Sequence, residues 1–233
     1  MPDPVTYRLD RGVATISMDD GKVNVMTLTM IEGLGAAFAR AETDQAVVVL
    51  EGRPSVFSAG YDMAMFDEPI EVIAATLQAG GELVERILSH PYPVVAACTG
   101  HAIAQGAFTL LACDVRIGSS GGAKTGLNEV AIGLTIPHYG IEVARHQLAA
   151  PWFDHATLTG ELLDPERALS AGFFHELAEQ TELQGIAQAR ARALATIDMT
   201  AHAATKLRVR RPALEAIRQG LATEFVLDGD TLA

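Results

Sequence analysis

The apolar positions of the chain follow two rhythms, one of short dense runs and one with helical spacing. Val13–Met18 is short and β-branched, follows Gly12 and is broken by Asp19-Asp20-Gly21, which predicts a strand. Leu28, Ile31, Leu34 and Phe38 then recur at intervals of three and four, which predicts a helix capped by Thr27 or Thr29. Residues 46–50 are all apolar and end at Glu51-Gly52-Arg53-Pro54, the pattern of a strand covered on both faces. Val94–Cys98 repeats that pattern, residues 102–112, which carry no charge, predict a buried helix, and residues 113–117 read as the next strand. Another helix is expected at residues 82–88, stopped by His90-Pro91-Tyr92-Pro93; residues 62–81 before it are polar and interrupted by glycine.

The second half is patterned as helices: residues 141–148, residues 155–159 behind Asp154 as cap, a segment opened by Pro165 and closed by Gly172, residues 183–197, and Met199–Leu221 interrupted at Pro212. Alternating strands and helices followed by helices alone predict an α/β body with a C-terminal helical appendage, with the seam near residues 148–200.

Composition narrows the classes. The chain has 233 residues, 49% apolar and 20% charged, enough to bury a core without a disulfide or a metal. No run of about 18 apolar residues is present to cross a membrane. The first residues, Met1-Pro2-Asp3-Pro4, lack the basic and apolar regions of a secretory signal, so a cytoplasmic protein is expected. Cys98 and Cys113 then read as small buried hydrophobes, with no cluster of metal-ligand spacing around them. A formal charge of −12 argues against nucleic acid as partner, because phosphates need a basic footprint.

Three segments concentrate small and polar residues at the ends of expected strands: residues 56–62, residues 100–107 and residues 127–137. No G-x-S-x-G elbow surrounds Ser58, and no G-x-G-x-x-G follows a strand, so neither a serine hydrolase nor a dinucleotide site is indicated. Loops of small residues let backbone approach a ligand closely, and a helix N-terminus offers unpaired N–H groups. Glu129 lies among Leu127, Val130, Ala131 and Ile132; a carboxylate desolvated there has a raised pKa, suited to moving protons near neutrality.

These segments resemble the enoyl-CoA hydratase/isomerase (crotonase) superfamily. Its F-(C/S)-A-G-x-D pattern matches residues 57–62, its G-(Y/H)-A-x-(G/A)-x-G pattern followed by C-D matches residues 100–106 with Cys113-Asp114, and its (P/N)-E-V-x-x-G pattern matches residues 128–133. Order and spacing agree over residues 5–200. The resemblance implies an α/β fold, a crotonase-like spiral of ββα units over residues 1–195 with a C-terminal helical oligomerisation region at residues 196–233. It also implies homotrimers or hexamers, an acyl-CoA thioester as substrate, coenzyme A as part of that substrate, and no tightly bound cofactor or metal.

By similarity, the backbone amides of Ala59 and Gln105 would hold the oxygen of a thioester enolate and Glu129 would carry the proton. The acyl-CoA would lie against Ala59, Tyr61, Asp62, Gln105, Gly106, Phe108 and His138, and Lys206 would match a contact to CoA phosphate made from a neighbouring subunit. Read by itself, Asp62 is a helix cap, Asp114 an anchor at a strand end and His101 a packed group. Family hydratases carry a second Glu where this chain has Phe108. One carboxylate suffices to move a proton from C2 to C4 of a 3-enoyl thioester, so isomerisation is favoured. The alternatives are hydration of a 2-enoyl-CoA and an inactive acyl-CoA-binding protein. Pro137-His138-Tyr139-Gly140 replaces a run of small residues in relatives; His138 or Tyr139 either reaches the site or packs.

Overall fold

The computed structural model describes residues 3–226. β1 (Val5–Asp10) turns through Arg11 and Gly12, both at positive φ, into β2 (Val13–Met18), its antiparallel partner. α1 (Leu28–Thr43) follows, its first turn capped by the Thr27 hydroxyl, which accepts from Met30 N at 3.2 Å. Three pairs of strands come next: β3 (Val47–Glu51) with β4 (Ser55–Ser58), β5 (Val94–Cys98) with β6 (Gly100–Ile103), and β7 (Val115–Ser119) with β8 (Thr125–Gly126). With the short β9 (Glu176–Ala178), the first strand of each pair joins a six-stranded sheet in the order β1-β2-β3-β5-β7-β9, and the second joins a three-stranded sheet in the order β4-β6-β8. α2 (Ile70–Ser89) and α3 (Gln105–Ala112) complete the first two units. α4 (His138–Gln147), α5 (Ala150–Thr159), α6 (Pro165–Ala171), β9, α7 (Leu183–Leu194) and α8 (Met199–Leu221) finish the chain. This is the expected spiral of ββα units with a helical C-terminal region.

The large sheet is apolar on both faces, which is why its strands read as unbroken hydrophobic runs. Ala14, Ile16, Val48, Leu50, Ala96 and Cys98 face the main core, while Val13, Val47, Val49, Val95 and Ala97 pack under Leu183, Ala187 and Ala191 of α7. Leu214, Ile217 and Leu221 of α8 enter the main core as well. Among the described residues no helix is long and apolar enough to cross a membrane.

Several elements differ from the sequence expectation. β1, β4, β6, β8 and β9 are additional strands of two to six residues; most are too short to show a period. α3 starts at Gln105 rather than residue 102, because residues 100–103 are pulled into the small sheet by β4 and β8. α2 begins at Ile70, twelve residues before the expected start at residue 82. Its Gly80-Gly81 pair is not a break: a Cβ at Gly80 would overlap the Tyr61 hydroxyl, and one at Gly81 would stand 2.7 Å from the Tyr139 ring. α5 starts at Ala150 with Pro151 in its first turn, so Asp154 lies inside the helix and does not cap it. Pro212 sits within a continuous α8.

Asp114 ties the helical end to the sheets. Its carboxylate accepts from Val94 N at 2.7 Å and stands 2.8 Å from the Lys206 ammonium and 3.0 Å from the Arg210 guanidinium. The Lys206 side chain is 3% exposed, and its burial pulls its pKa down to about 8 despite the carboxylate. Replacing Asp114 by Asn leaves two buried cations without a counter-charge, which should cost about 3–5 kcal/mol; a shift of the urea midpoint at constant m-value measures it.

Candidate active site

The three strands of the small sheet run parallel, so the segments leaving their C-terminal ends emerge side by side. Between them and α2 lies a cavity of about 560 Å³. Ala59 and Tyr61 line it from the loop after β4, Ile103 and Ala104 from the end of β6, Phe108 from α3, and Asn128 and Glu129 from the segment after β8. Met63, Phe66, Ile73 and Leu77 supply an apolar wall.

Glu129 opens a single 3-10 turn, Val130–Ile132, closed by Gly133 at φ 82. The Glu129 carbonyl accepts from Ile132 N and Leu134 N at 3.0 and 2.9 Å, and this tight turn sets the side chain inward while Val130 and Ile132 remain 45% exposed. Glu129 itself is 6% exposed, and its Oε2 has no hydrogen-bond partner. Burial raises its pKa from 4.5 to about 7. The apolar surroundings differ in part from the sequence expectation: Val130 and Ala131 are exposed, Ile132 lines the cavity although 45% exposed, Leu127 is buried, and Phe108 adds to the apolar lining.

The expected pair of amides is half corrected. Ala59 N–H is occupied, donating to Val23 O at 3.0 Å. Residues 23–26 run along residues 57–60 like an extra strand: Met26 N donates to Gly60 O at 2.8 Å, Ser58 Oγ to Asn24 O at 2.7 Å, and Asn24 Nδ2 to Phe57 O at 3.1 Å. The first amide beyond that pairing is Tyr61 N–H, and neither it nor Gln105 N–H has an acceptor among the described residues. The two backbones meet at Gly60, φ 88, where an added Cβ would lie 3.4 Å from Gln105 N and 2.9 Å from Ile103 O.

Five expected contacts do not line the cavity: Gln105, wholly buried just behind Ala104 with its side chain donating to Gly80 O at 3.0 Å, and the four that follow. Asp62 caps the 3-10 turn Met63–Asp67, accepting from Ala64 N at 3.0 Å. Gly106 lets α3 close on β4: a Cβ there would stand 2.5 Å from Ser58 O. His138 packs its side chain on Gly220, and its N–H donates to Glu224 Oε2 and Oε1 at 2.9 and 3.1 Å. Lys206 has its charge taken by Asp114 within the same chain. Tyr139 stands behind the cavity, fully buried, its hydroxyl bonded to Tyr61 and Gln105.

Glu224 and Phe225, just past α8, line the cavity and had no sequence signal, since nothing local ties residues 224–225 to residue 129. A second depression of about 510 Å³ shares Ala59 and Ile103 with the first and adds Lys22, Arg53 and His101, a basic approach on an acidic chain. No group of three or more His, Cys, Asp or Glu among the described residues is placed to hold a metal.

The raised pKa of Glu129 is also a stability statement. Between pH 4.5 and 7 the folded chain holds a proton that the unfolded chain has lost, so this group's contribution falls as pH rises across that window. Glu129→Gln should therefore gain on the parent by up to about 3 kcal/mol between pH 4 and pH 8, read from paired urea titrations.

Comparison with known proteins agrees with the fold. The family model described as Enoyl-CoA hydratase/isomerase matches residues 8–232. The (E)-benzylidenesuccinyl-CoA hydratase of Thauera aromatica is 30% identical over 207 residues, covering 87% of this chain and 80% of that protein. An enoyl-CoA hydratase/isomerase family protein from Pseudomonas syringae superposes with a TM-score of 0.94 at 42% identity, covering 96% of this chain and 97% of the other. A Mycobacterium tuberculosis protein, described as an enoyl-CoA isomerase in one structure and as a probable enoyl-CoA hydratase in another, gives 0.92 at 42% identity over 95% and 97% in the first and 0.92 at 41% over 94% and 94% in the second. The chain belongs to the enoyl-CoA hydratase/isomerase (crotonase) family of acyl-CoA enzymes.

Proposed function

We propose that this enzyme isomerises 3-enoyl-CoA to 2-enoyl-CoA, with Glu129 as the one proton carrier. The observation that carries this reading is the buried, unpartnered Glu129 carboxyl in a cavity where Phe108 fills the position of a hydratase's second Glu. The thioester carbonyl sits between the free N–H groups of Tyr61 and Gln105. Glu129 takes a proton from C2, negative charge moves onto the thioester oxygen, and the two amides stabilise the dienolate in a water-poor site. The same carboxyl then returns the proton at C4, so no second acid and no activated water is needed. The CoA moiety leaves along the adjoining depression, past Lys22 and Arg53.

The rival reading, hydration, has one observation in its favour: Glu224 is a second carboxylate in the cavity wall, with its pKa raised by burial. Both its oxygens are engaged by His138 N–H, which makes it a cap on α4. A 3-enoyl and a 2-enoyl thioester offered in parallel separate the readings: isomerisation requires shift of the double bond in the first and little hydration of the second, and fast hydration abolished by Glu224→Gln reverses the assignment.

Glu129→Gln should lower kcat for the isomerisation by a factor of about 100 to 10,000. The base works as carboxylate, so kcat/KM rises with pH up to about 7 and is flat above, and a rate independent of pH through that range removes Glu129 from the role. Replacing Lys22 and Arg53 together by Ala should raise KM roughly tenfold, more at low salt than at high, with kcat within about twofold of the parent.

A further inference from the structure

Behind the cavity wall lies a buried polar chain that the reaction above does not use. Gln105 Nε2 donates to Gly80 O at 3.0 Å, Tyr139 Oη donates to Gln105 Oε1 at 2.9 Å, and the Tyr61 and Tyr139 hydroxyls are 2.9 Å apart. Proton counting fixes its direction. Gly80 O only accepts, so the amide NH₂ faces it and Oε1 faces Tyr139. Tyr139 spends its one proton on Oε1, so the bond between the hydroxyls is donated by Tyr61. Tyr61 therefore has no proton left for a substrate. Burial raises the pKa of both phenols, which keeps both protons in place.

The chain ends at the residue whose amide faces the thioester oxygen in the proposed reaction. Immediately before it, Ala104 is held at φ 51, ψ −121, a conformation that a residue with a Cβ adopts only when its surroundings impose it. That conformation turns the Ala104–Gln105 peptide. Bonds from Ala104 N to Gly126 O and from Phe108 N to Ala104 O, both 3.0 Å, hold its two ends, and the Gln105 side chain is the remaining anchor. Gln105 is wholly buried, and α2 gives up side chains at Gly80 and Gly81 to admit the two tyrosines.

We propose that Tyr139 is a positioning residue of this site: its hydroxyl, backed by Tyr61, locks the Gln105 side chain against Gly80 and so fixes the strained peptide that carries the Gln105 N–H. The inference rests on the enolate reading of the site. The test is deuterium exchange at C2 of trans-3-hexenoyl-CoA and its isomerisation, measured for Tyr139→Phe, Tyr61→Phe and the double variant. Phe at 139 keeps the ring packed on Phe108 and Phe225 and removes only the hydroxyl. Tyr139→Phe should lower kcat roughly tenfold with KM within about twofold, Tyr61→Phe should lose distinctly less, and the double variant should match Tyr139→Phe. A Tyr61→Phe loss equal to or larger than that of Tyr139→Phe, an unchanged kcat, or a loss confined to KM overturns the proposal. A parent enzyme that neither exchanges nor isomerises overturns the reaction instead. In that event backbone hydrogen exchange over residues 104–108 still decides the clamp: it should quicken in Tyr139→Phe more than in Tyr61→Phe, and equal protection overturns it.

Discussion

Three parallel strands of four, four and two residues carry the site. Each receives its place from a longer partner in the large sheet, because the two strands of a pair are consecutive in the chain. Parallel pairing means their C-terminal ends open on the same side, so the loop with Tyr61, the start of α3 with Gln105 and the turn with Glu129 converge with no further instruction. The small sheet holds few hydrogen bonds of its own, and the six-stranded sheet and the helices packed on it supply the rigidity.

That convergence is used to hold charge in an unfavourable place. Glu129 sits in an apolar cavity without a counter-charge or a hydrogen bond to Oε2, so its ionised form destabilises the fold. The same destabilisation puts its pKa near neutrality, which suits the single group that takes and returns the proton in the proposed isomerisation. In the proposed reaction, negative charge on the substrate oxygen would be met by backbone amides and not by a cation, so the charge would be held where it develops without a lysine or arginine that would bring the Glu129 pKa down.

Cations in this acidic chain are divided between two tasks. Lys206 and Arg210 turn inward and close on Asp114, where burial makes them structural. Lys22 and Arg53 stand nearer the surface beside Ala59 and Ile103, Arg53 3.5 Å from the Asp19 carboxylate. A cluster of Lys and Arg on one helix is equally basic in either role; burial decides between them.

The buried runs at residues 46–50 and Val94–Cys98, the helical spacing of Leu28 to Phe38, the three small-residue motifs and Glu129 itself were all legible along the chain, because each is a local pattern of side-chain type. The short strands were not, since two to four residues show no period, and neither was the early part of α2, where glycines that make room for tyrosines look like breaks. The amide at position 59 has the same local chemistry as the one at position 61. Only the pairing of residues 57–60 with residues 23–26 consumes the first and leaves the second free. Glu129 was found with only part of its apolar surroundings, Lys206 with the wrong partner, and Glu224 and Phe225 not at all. Sequence thus determined the longer elements and singled out Glu129, while tertiary structure decided which polar groups stay unpaired, because a hydrogen bond or a counter-charge depends on what lies alongside in space and not on what comes next in the chain.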